Sequence, residues 1–145
     1  MSDVLTLSQI KMPGTARSKD DAIRETGAIL VDAGAVEPAY IDSMFDRERS
    51  VSTYMGNYLA IPHGTNESKE SIKRSALSVI RYPEPIDWDG NEVLFALGIA
   101  GYQGGHMDIL SRIAIVFSDT DEVDRLVAAG SAEEIYNLLN AVNEE

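Results

Sequence analysis

Apolar residues at helical spacing predict two helices in the first third of the chain. Ser18 is a favourable N-cap because acidic residues follow it, and apolar positions recur at helical spacing as far as Gly34. Pro38 is expected to open a second helix, since proline suits a first helical position. The predicted buried stripe of that helix is Tyr40, Ile41, Met44 and Phe45. Residues 46–49 then fall at its end.

Short apolar runs predict the strands. Val4–Met12 is partly alternating and ends at a Pro-Gly turn, and Tyr58–Ile61 is stopped by Pro62, which cannot continue a sheet ladder. Ala76–Tyr82 and Val93–Ala100 are apolar enough to lie in the centre of a sheet. The segment between these two strands is predicted to form turns, because it contains Pro83, Pro85 and Asp89-Gly90.

Two further helices are predicted near the carboxyl terminus. One begins around His106, ends near Ser118 and buries Leu110, Ile113, Ala114 and Phe117. Ser131 and Glu134 form a capping box for a last helix over Ala132–Val142. The alternation of strands and helices predicts an α/β fold over residues 1–145, as a single layered domain. Its mixed, mostly parallel sheet of about five strands should carry helices on both faces.

Composition excludes several classes of function. The 145 residues contain no cysteine, which removes disulfides, thiolate metal sites and cysteine nucleophiles. A net charge of -12 would repel the phosphate backbone of nucleic acid. The longest apolar run is too short to span a membrane, and no leader-like segment opens the chain. We therefore expect a cytoplasmic protein with no nucleic-acid partner that is not membrane-embedded.

The two histidines, His63 and His106, each lie where a strand gives way to a glycine-bearing loop. A neutral imidazole is a nucleophile at neutral pH, and Gly64 and Thr65 after His63 could offer amides and a hydroxyl to a phosphate. The amino terminus of the helix at His106 favours a bound anion. The pattern therefore favours a phosphate site between the two histidines.

A metal site is the alternative interpretation of the same residues. The two histidines and Asp108 are few ligands, and no thiolate can join them. We therefore expect neither a metal nor a cofactor.

Three segments resemble the enzyme IIA components of the sugar phosphotransferase system, in the mannitol and fructose class. They are NYLAIPHGT at 57–65, DRER at 46–49 and LGIAGYQGGHMDILSRIA at 97–114. The resemblance runs through nearly the whole chain and identifies residues 1–145 as an EIIA type-2 domain. It also implies a five-stranded mixed sheet flanked by helices.

The resemblance implies a phosphohistidine carrier. Such proteins accept a phosphoryl group from the phosphocarrier HPr and pass it to a cysteine of IIB, which phosphorylates the sugar carried by the membrane IIC domain. By resemblance His63 is the phosphorylated residue, through Nε2 with Nδ1 tied to a backbone group. His106 matches the second active-site histidine, and Arg47 matches the arginine beside the site. Since the chain lacks cysteine and a membrane span, we expect a free-standing IIA protein.

Likeness around residues 98–100 and the approach to His106 favours the mannitol branch, with the IIB domain of a IICB permease as acceptor. A fructose-type IIA shares the same histidine motifs. A nitrogen-type IIA, which regulates other proteins through its phosphorylation state, is the alternative from a different class.

Overall fold

The computed structural model describes residues 4–65, 70–102 and 106–143, apart from the side chains of His106 and Ala141. The strands are β1 (Ile10–Lys11), β2 (Tyr54–Gly56), β3 (Leu59–Ala60), β4 (Ala76–Trp88) and β5 (Asn91–Ala100). The helices are α1 (Lys19–Asp32), α2 (Ala39–Ser50), α3 (His106–Phe117), α4 (Thr120–Ala128) and α5 (Ala132–Leu139). Short 3-10 turns cover Leu7–Gln9 and Asn140–Asn143.

The strands form one sheet in the order β1-β4-β5-β3-β2. β1 pairs with β4 and β3 with β5 in parallel, whereas β4 with β5 and β2 with β3 are antiparallel. The expected mixed sheet of five strands is confirmed. Parallel pairing is less dominant than the sequence indicated, because the longest pair, β4 with β5, is a hairpin closed at Asp89-Gly90.

Helices cover both faces of the sheet, as predicted. On one face Leu77, Val79, Phe95, Leu97 and Ile99 pack with residues of α3, α4 and α5. On the other face alternate residues of the same strands, including Ile80 and Ala96, pack with α1 and α2. This alternation follows from the two-residue period of a strand. Within the described ranges, no helix combines the length and the apolar character needed to cross a membrane.

The predicted helix starts are confirmed apart from that of α2, which differs by one residue. The hydroxyls of Ser18 and Ser131 accept hydrogen bonds from the amides of Asp21 and Glu134, each at 3.2 Å. Pro38 is the N-cap of α2 rather than its first residue. The stripe predicted for α2 was partly wrong, because Ile41 and Phe45 are only half-buried while Ser43 and Glu48 are buried.

Several boundaries differ from the sequence prediction. β4 continues through Pro83 and Pro85 to Trp88, with a register shift between Arg81 and Ile86 where the prolines interrupt regular pairing. β2 and α4 were not predicted, and α5 ends at Leu139 instead of Val142. The first strand is only Ile10–Lys11, because residues 7–9 form a 3-10 turn.

A close approach of α1 to the sheet explains the glycine in the middle of β5. A Cβ atom on Gly98 would lie 2.5 Å from Ser78 Oγ and 2.9 Å from the Cβ of Thr26. Ser78 Oγ also donates to the carbonyl of Thr26 at 2.9 Å. Only glycine leaves room for α1 at this distance, so Gly98 fixes the depth at which the helix packs.

The half-buried carboxylate of Glu25 ties α1 to the segment that precedes it. The Glu25 side chain is 9% exposed and accepts hydrogen bonds from Lys11 Nζ at 2.8 Å, from the Thr15 hydroxyl at 2.7 Å and from the Tyr82 hydroxyl at 2.9 Å. The Thr15 amide donates to it as well, at 3.0 Å. Burial alone would raise the pKa of Glu25, but these donors outweigh it and lower the pKa from 4.5 to about 2.

This lowered pKa predicts a specific loss of stability in acid. The fold favours the ionised carboxylate, so the contribution of Glu25 is complete above pH 4.5 and disappears as the pH falls towards 2. In Glu25→Gln, the free energy of unfolding at pH 7 should fall by about 1–3 kcal/mol, and this part of the pH dependence should vanish. Urea unfolding of both proteins from pH 2 to pH 7 measures it.

The exposed Glu84 provides the control. Glu84→Gln should keep the acid dependence of the parent protein. A Glu25→Gln variant with the same acid profile as the parent would contradict the assignment.

Candidate functional site

Four of the five predicted site residues, Arg47, His63, Gly64 and Thr65, line an open pocket of about 740 Å³ at the end of β3. α2 lines one wall with Tyr40 and Arg47, and the segment after β3 contributes Ile61, His63, Gly64 and Thr65. α3 forms the facing wall through Met107, Leu110, Ser111 and Ala114. Leu110 and Ala114 are only half-buried and line the pocket, although Leu110 also packs against the core as the helical pattern predicted.

His63 lies where the β3–β5 ladder ends. The Ile99 amide donates to the Pro62 carbonyl at 3.0 Å, and His63 forms an isolated parallel bridge with Ile99. On the other side, the Ile61 amide donates to the Thr53 carbonyl at 3.1 Å. Pro62 has no amide to continue the ladder, so the chain leaves the sheet here with its backbone already fixed.

The His63 imidazole is oriented by its own backbone. Its Nδ1 lies 2.7 Å from the carbonyl oxygen of Ile61. Because a carbonyl oxygen only accepts, Nδ1 carries the hydrogen and the neutral ring keeps its lone pair on Nε2. The side chain is half-buried and lines the pocket. The geometry suits nucleophilic attack through Nε2.

The two amides after His63 have partners on α2. The Gly64 amide donates to the Tyr40 hydroxyl at 2.8 Å, and the Thr65 amide donates to Ser43 Oγ at 2.8 Å. The sequence suggested these amides as phosphate donors. In this structure α2 holds them, so the loop is anchored to the helix, and a role for Gly64 and Thr65 in binding phosphate stays a prediction.

Tyr40 is the most deeply placed polar side chain of the pocket. It is 2% exposed, and its hydroxyl donates to the Ile99 carbonyl at 2.8 Å. Burial raises the pKa of Tyr40 to about 12, although the Gly64 amide acts in the opposite direction. The hydroxyl therefore stays protonated at neutral pH and keeps both hydrogen bonds.

Arg47 brings positive charge to the pocket. It is half-buried at the end of α2, and one guanidinium nitrogen donates to the Val51 carbonyl at 2.8 Å. Among the described lining residues it is the one permanent charge, and none of them is a carboxylate. The pocket therefore suits an anion although the chain as a whole is acidic.

The buried Glu48 anchors the segment that follows α2, next to Arg47. Its carboxylate accepts hydrogen bonds from the Thr53 amide at 2.9 Å and the Trp88 indole at 3.2 Å, and pairs with Lys19 at 3.3 Å. Glu48 thus holds its charge away from the pocket while stabilising the turn that Arg47 contacts.

His106 is the first residue of α3, so its backbone lies at the helix end beside the pocket. Its imidazole and the preceding Gly104 and Gly105 lie outside the described residues. In the described part of the chain, no group of three or more histidine, cysteine, aspartate or glutamate residues has a geometry that could hold a metal.

Sequence reasoning missed Tyr40 and Ser43 as site residues. Both lie on the face of α2 that carries Arg47, at positions 40, 43 and 47, which is helical spacing. Extending that face backwards from Arg47 would have found them. No comparable signal exists for the Ile61 carbonyl, because any residue supplies one.

Comparisons with known proteins cover almost the whole chain. The family model described as phosphoenolpyruvate-dependent sugar phosphotransferase system, EIIA 2, matches residues 3–142. The mannitol-specific phosphotransferase enzyme IIA component of Halalkalibacterium halodurans is 51% identical over 141 residues, which cover 97% of each chain.

Two solved structures extend the comparison. The complex of enzyme IIAMTL and phosphorylated enzyme IIBMTL from Escherichia coli matches with a TM-score of 0.86 and 31% identity, covering 93% of this chain and 96% of that chain. The nitrogen regulatory protein IIA-Ntr from Neisseria meningitidis matches with a TM-score of 0.78 and 28% identity, covering 94% and 96%.

The hydrogen bond at Nδ1 predicts the tautomer of His63. Long-range proton–nitrogen NMR at a pH where the ring is neutral should show hydrogen on Nδ1 and an unprotonated Nε2, because the Ile61 carbonyl accepts only from Nδ1. A neutral ring carrying its hydrogen on Nε2 would contradict the geometry.

Proposed function

Since the chain belongs to the EIIA 2 family of the phosphoenolpyruvate-dependent sugar phosphotransferase system, we propose that His63 carries a phosphoryl group from phosphorylated HPr to a IIB cysteine. The chain is a phosphotransferase component. The observation that carries the proposal is the Nδ1 hydrogen bond of His63, which leaves the lone pair on Nε2 of a side chain that lines an open pocket.

The chemistry needs positioning and charge more than covalent assistance. The Nε2 lone pair attacks phosphorus as the bond to the HPr histidine breaks, in line through a loose transition state. Positive charge develops on the accepting ring, and the Ile61 carbonyl at Nδ1 stabilises it. Transfer to the IIB cysteine reverses these events, with the thiolate as the attacking group.

Arg47 and His106 are proposed to stabilise the negative charge of the phosphoryl oxygens. Arg47 lines the same pocket as His63 and is its permanent cation among the described residues. His106 begins α3, where the helix end favours an anion, so its ring would act as a hydrogen-bond donor and not as the acceptor of the phosphoryl group. The Gly64 and Thr65 segment supports the acceptor.

The rim of the pocket suits docking of a protein. Met55 and Met107 line the pocket and are 45% and 59% exposed, and Val51 beside Arg47 is 65% exposed. Exposed methionines adapt to more than one partner surface. A carrier must bind a donor and an acceptor in turn, and we propose that HPr and IIB share this rim.

Mannitol is the proposed sugar, delivered by a IICB permease, and the cytoplasm is the proposed location because both partners act there. The mannitol-specific relative is far more similar to this chain than the nitrogen-regulatory protein is, which favours the transport role over the regulatory one. A fructose-type role predicts instead that a fructose permease accepts the phosphoryl group.

Replacement of the acceptor tests the proposal. With phosphoenolpyruvate, enzyme I and HPr, the parent protein should gain one acid-labile phosphate by mass spectrometry, and His63→Ala should gain none, because none of the other described residues that line the pocket is a histidine. Mannitol phosphorylation by membranes containing a mannitol IICB permease should follow the same pattern. Phosphate on His63→Ala would refute the acceptor, and transfer to a fructose permease alone would refute mannitol.

Arg47 and the neighbouring Arg49 form a matched pair. Arg47→Lys keeps the charge but loses the planar guanidinium, so phosphoryl transfer from HPr should slow by about 10²-fold with little change in unfolding free energy. Arg49 is exposed and pairs with Asp46 at 3.1 Å, so Arg49→Lys should transfer at the parental rate. Single-turnover transfer measures both, and equal rates for the two variants would remove Arg47 from the mechanism.

A further inference from the structure

We propose that Tyr40, together with Ser43, is a positioning residue that sets the path of the chain through His63. The inference rests on the proposed function of His63 as phosphoryl acceptor. Its basis is the placement of two α2 hydroxyls on the consecutive amides of Gly64 and Thr65.

The Tyr40 hydroxyl occupies the place of a ladder hydrogen bond. In a parallel ladder, a residue that donates its amide to one strand position also accepts from the amide two positions further on. Ile99 donates to the Pro62 carbonyl at 3.0 Å, so a regular ladder would continue from the Gly64 amide to the Ile99 carbonyl. Instead the Tyr40 hydroxyl accepts from Gly64 and donates to Ile99, both at 2.8 Å.

The Tyr40 hydroxyl oxygen therefore lies between the His63 segment and β5. The Tyr40 ring is buried at 2% exposure in the core between α2 and the sheet, so the position of its hydroxyl is fixed. Its two hydrogen bonds use both the hydrogen and a lone pair. A rigid side chain thus sets how far His63 stands from the sheet.

Ser43 continues the same arrangement one residue later. Its side-chain oxygen accepts from the Thr65 amide at 2.8 Å and lies 3.1 Å from the Thr65 hydroxyl. Positions 40 and 43 lie one helical turn apart, which matches the advance of the chain from Gly64 to Thr65 along the helix. Both amides are drawn towards α2, the helix that also carries Arg47.

This geometry fixes the His63 segment relative to Arg47. Arg47 and the two hydroxyls share one helix, so holding the His63 segment on α2 holds Nε2 in register with the guanidinium. Without the Tyr40 hydroxyl, the Gly64 amide and the Ile99 carbonyl would bond directly and draw the segment towards β5. A shift of this size misplaces the nucleophile, and small misplacements reduce rates strongly.

Tyr40→Phe tests the proposal, and Tyr82→Phe is its matched control. Both tyrosines are buried in the same core and each deletion removes one hydroxyl, but the Tyr82 hydroxyl donates to Glu25, away from the pocket. Single-turnover phosphoryl transfer from phosphorylated HPr is measured at increasing HPr concentration, together with urea unfolding. For Tyr40→Phe the saturating rate should fall about tenfold or more with an unchanged half-saturating concentration, because the rim is intact.

The NMR signals of the site provide a second readout. Tyr40→Phe should shift the Gly64 amide proton and the His63 ring nitrogens, whereas Tyr82→Phe should lose stability with neither a rate change nor these shifts. Ser43→Ala should also slow transfer. Because it leaves Tyr40 in place, it provides the test if Tyr40→Phe folds poorly.

The outcomes separate the two claims. If the parent protein accepts no phosphate, the proposed function fails. If the parent is phosphorylated on His63 and both Tyr40→Phe and Ser43→Ala transfer at its saturating rate, the positioning role is wrong. If Tyr82→Phe loses as much rate as Tyr40→Phe, the rate loss reflects a general loss of stability, and the positioning role is also wrong.

Discussion

The end of the β3–β5 ladder is the constraint on which the site depends. Pro62 cannot donate, so the chain must leave the sheet at His63, and the Ile99 amide on the Pro62 carbonyl fixes where it leaves. The carbonyl of Ile61, the residue before Pro62, then orients the imidazole. The proposed nucleophile is therefore held by backbone groups of the sheet, and few side-chain rotations remain free to misplace it.

The pocket carries a local positive charge although the net charge of the chain is negative. The chain carries a net charge of -12, yet the described lining of the pocket contains Arg47 and no carboxylate. Glu48, next to Arg47 in sequence, turns into the protein and pairs with Lys19. Helical geometry makes this separation possible, because consecutive residues point in different directions. An acidic protein can therefore present a site for a phosphoryl group.

Sequence reasoning predicted the fold class, the long helices and the central strands, because periodicity and capping are local properties of the chain. It missed β2, which lies at the edge of the sheet, and α4, although Asp119 is an N-cap there, and it ended β4 at Tyr82 since prolines usually interrupt a strand. For the site, His63 and Arg47 were found as candidates; they line one pocket, and their catalytic roles stay predictions. Tyr40 and Ser43 were not, because their role depends on which amides the fold places beside them.

Locating the phosphoryl group on the phosphorylated protein tests the role of the His63 ring. Nitrogen-15 labelled protein, phosphorylated through HPr, can be examined for phosphorus–nitrogen coupling in the His63 ring. The structure predicts coupling to Nε2 with the hydrogen retained on Nδ1, since the Ile61 carbonyl occupies that side of the ring. Coupling to Nδ1, or a phosphate on any residue other than His63, would contradict it.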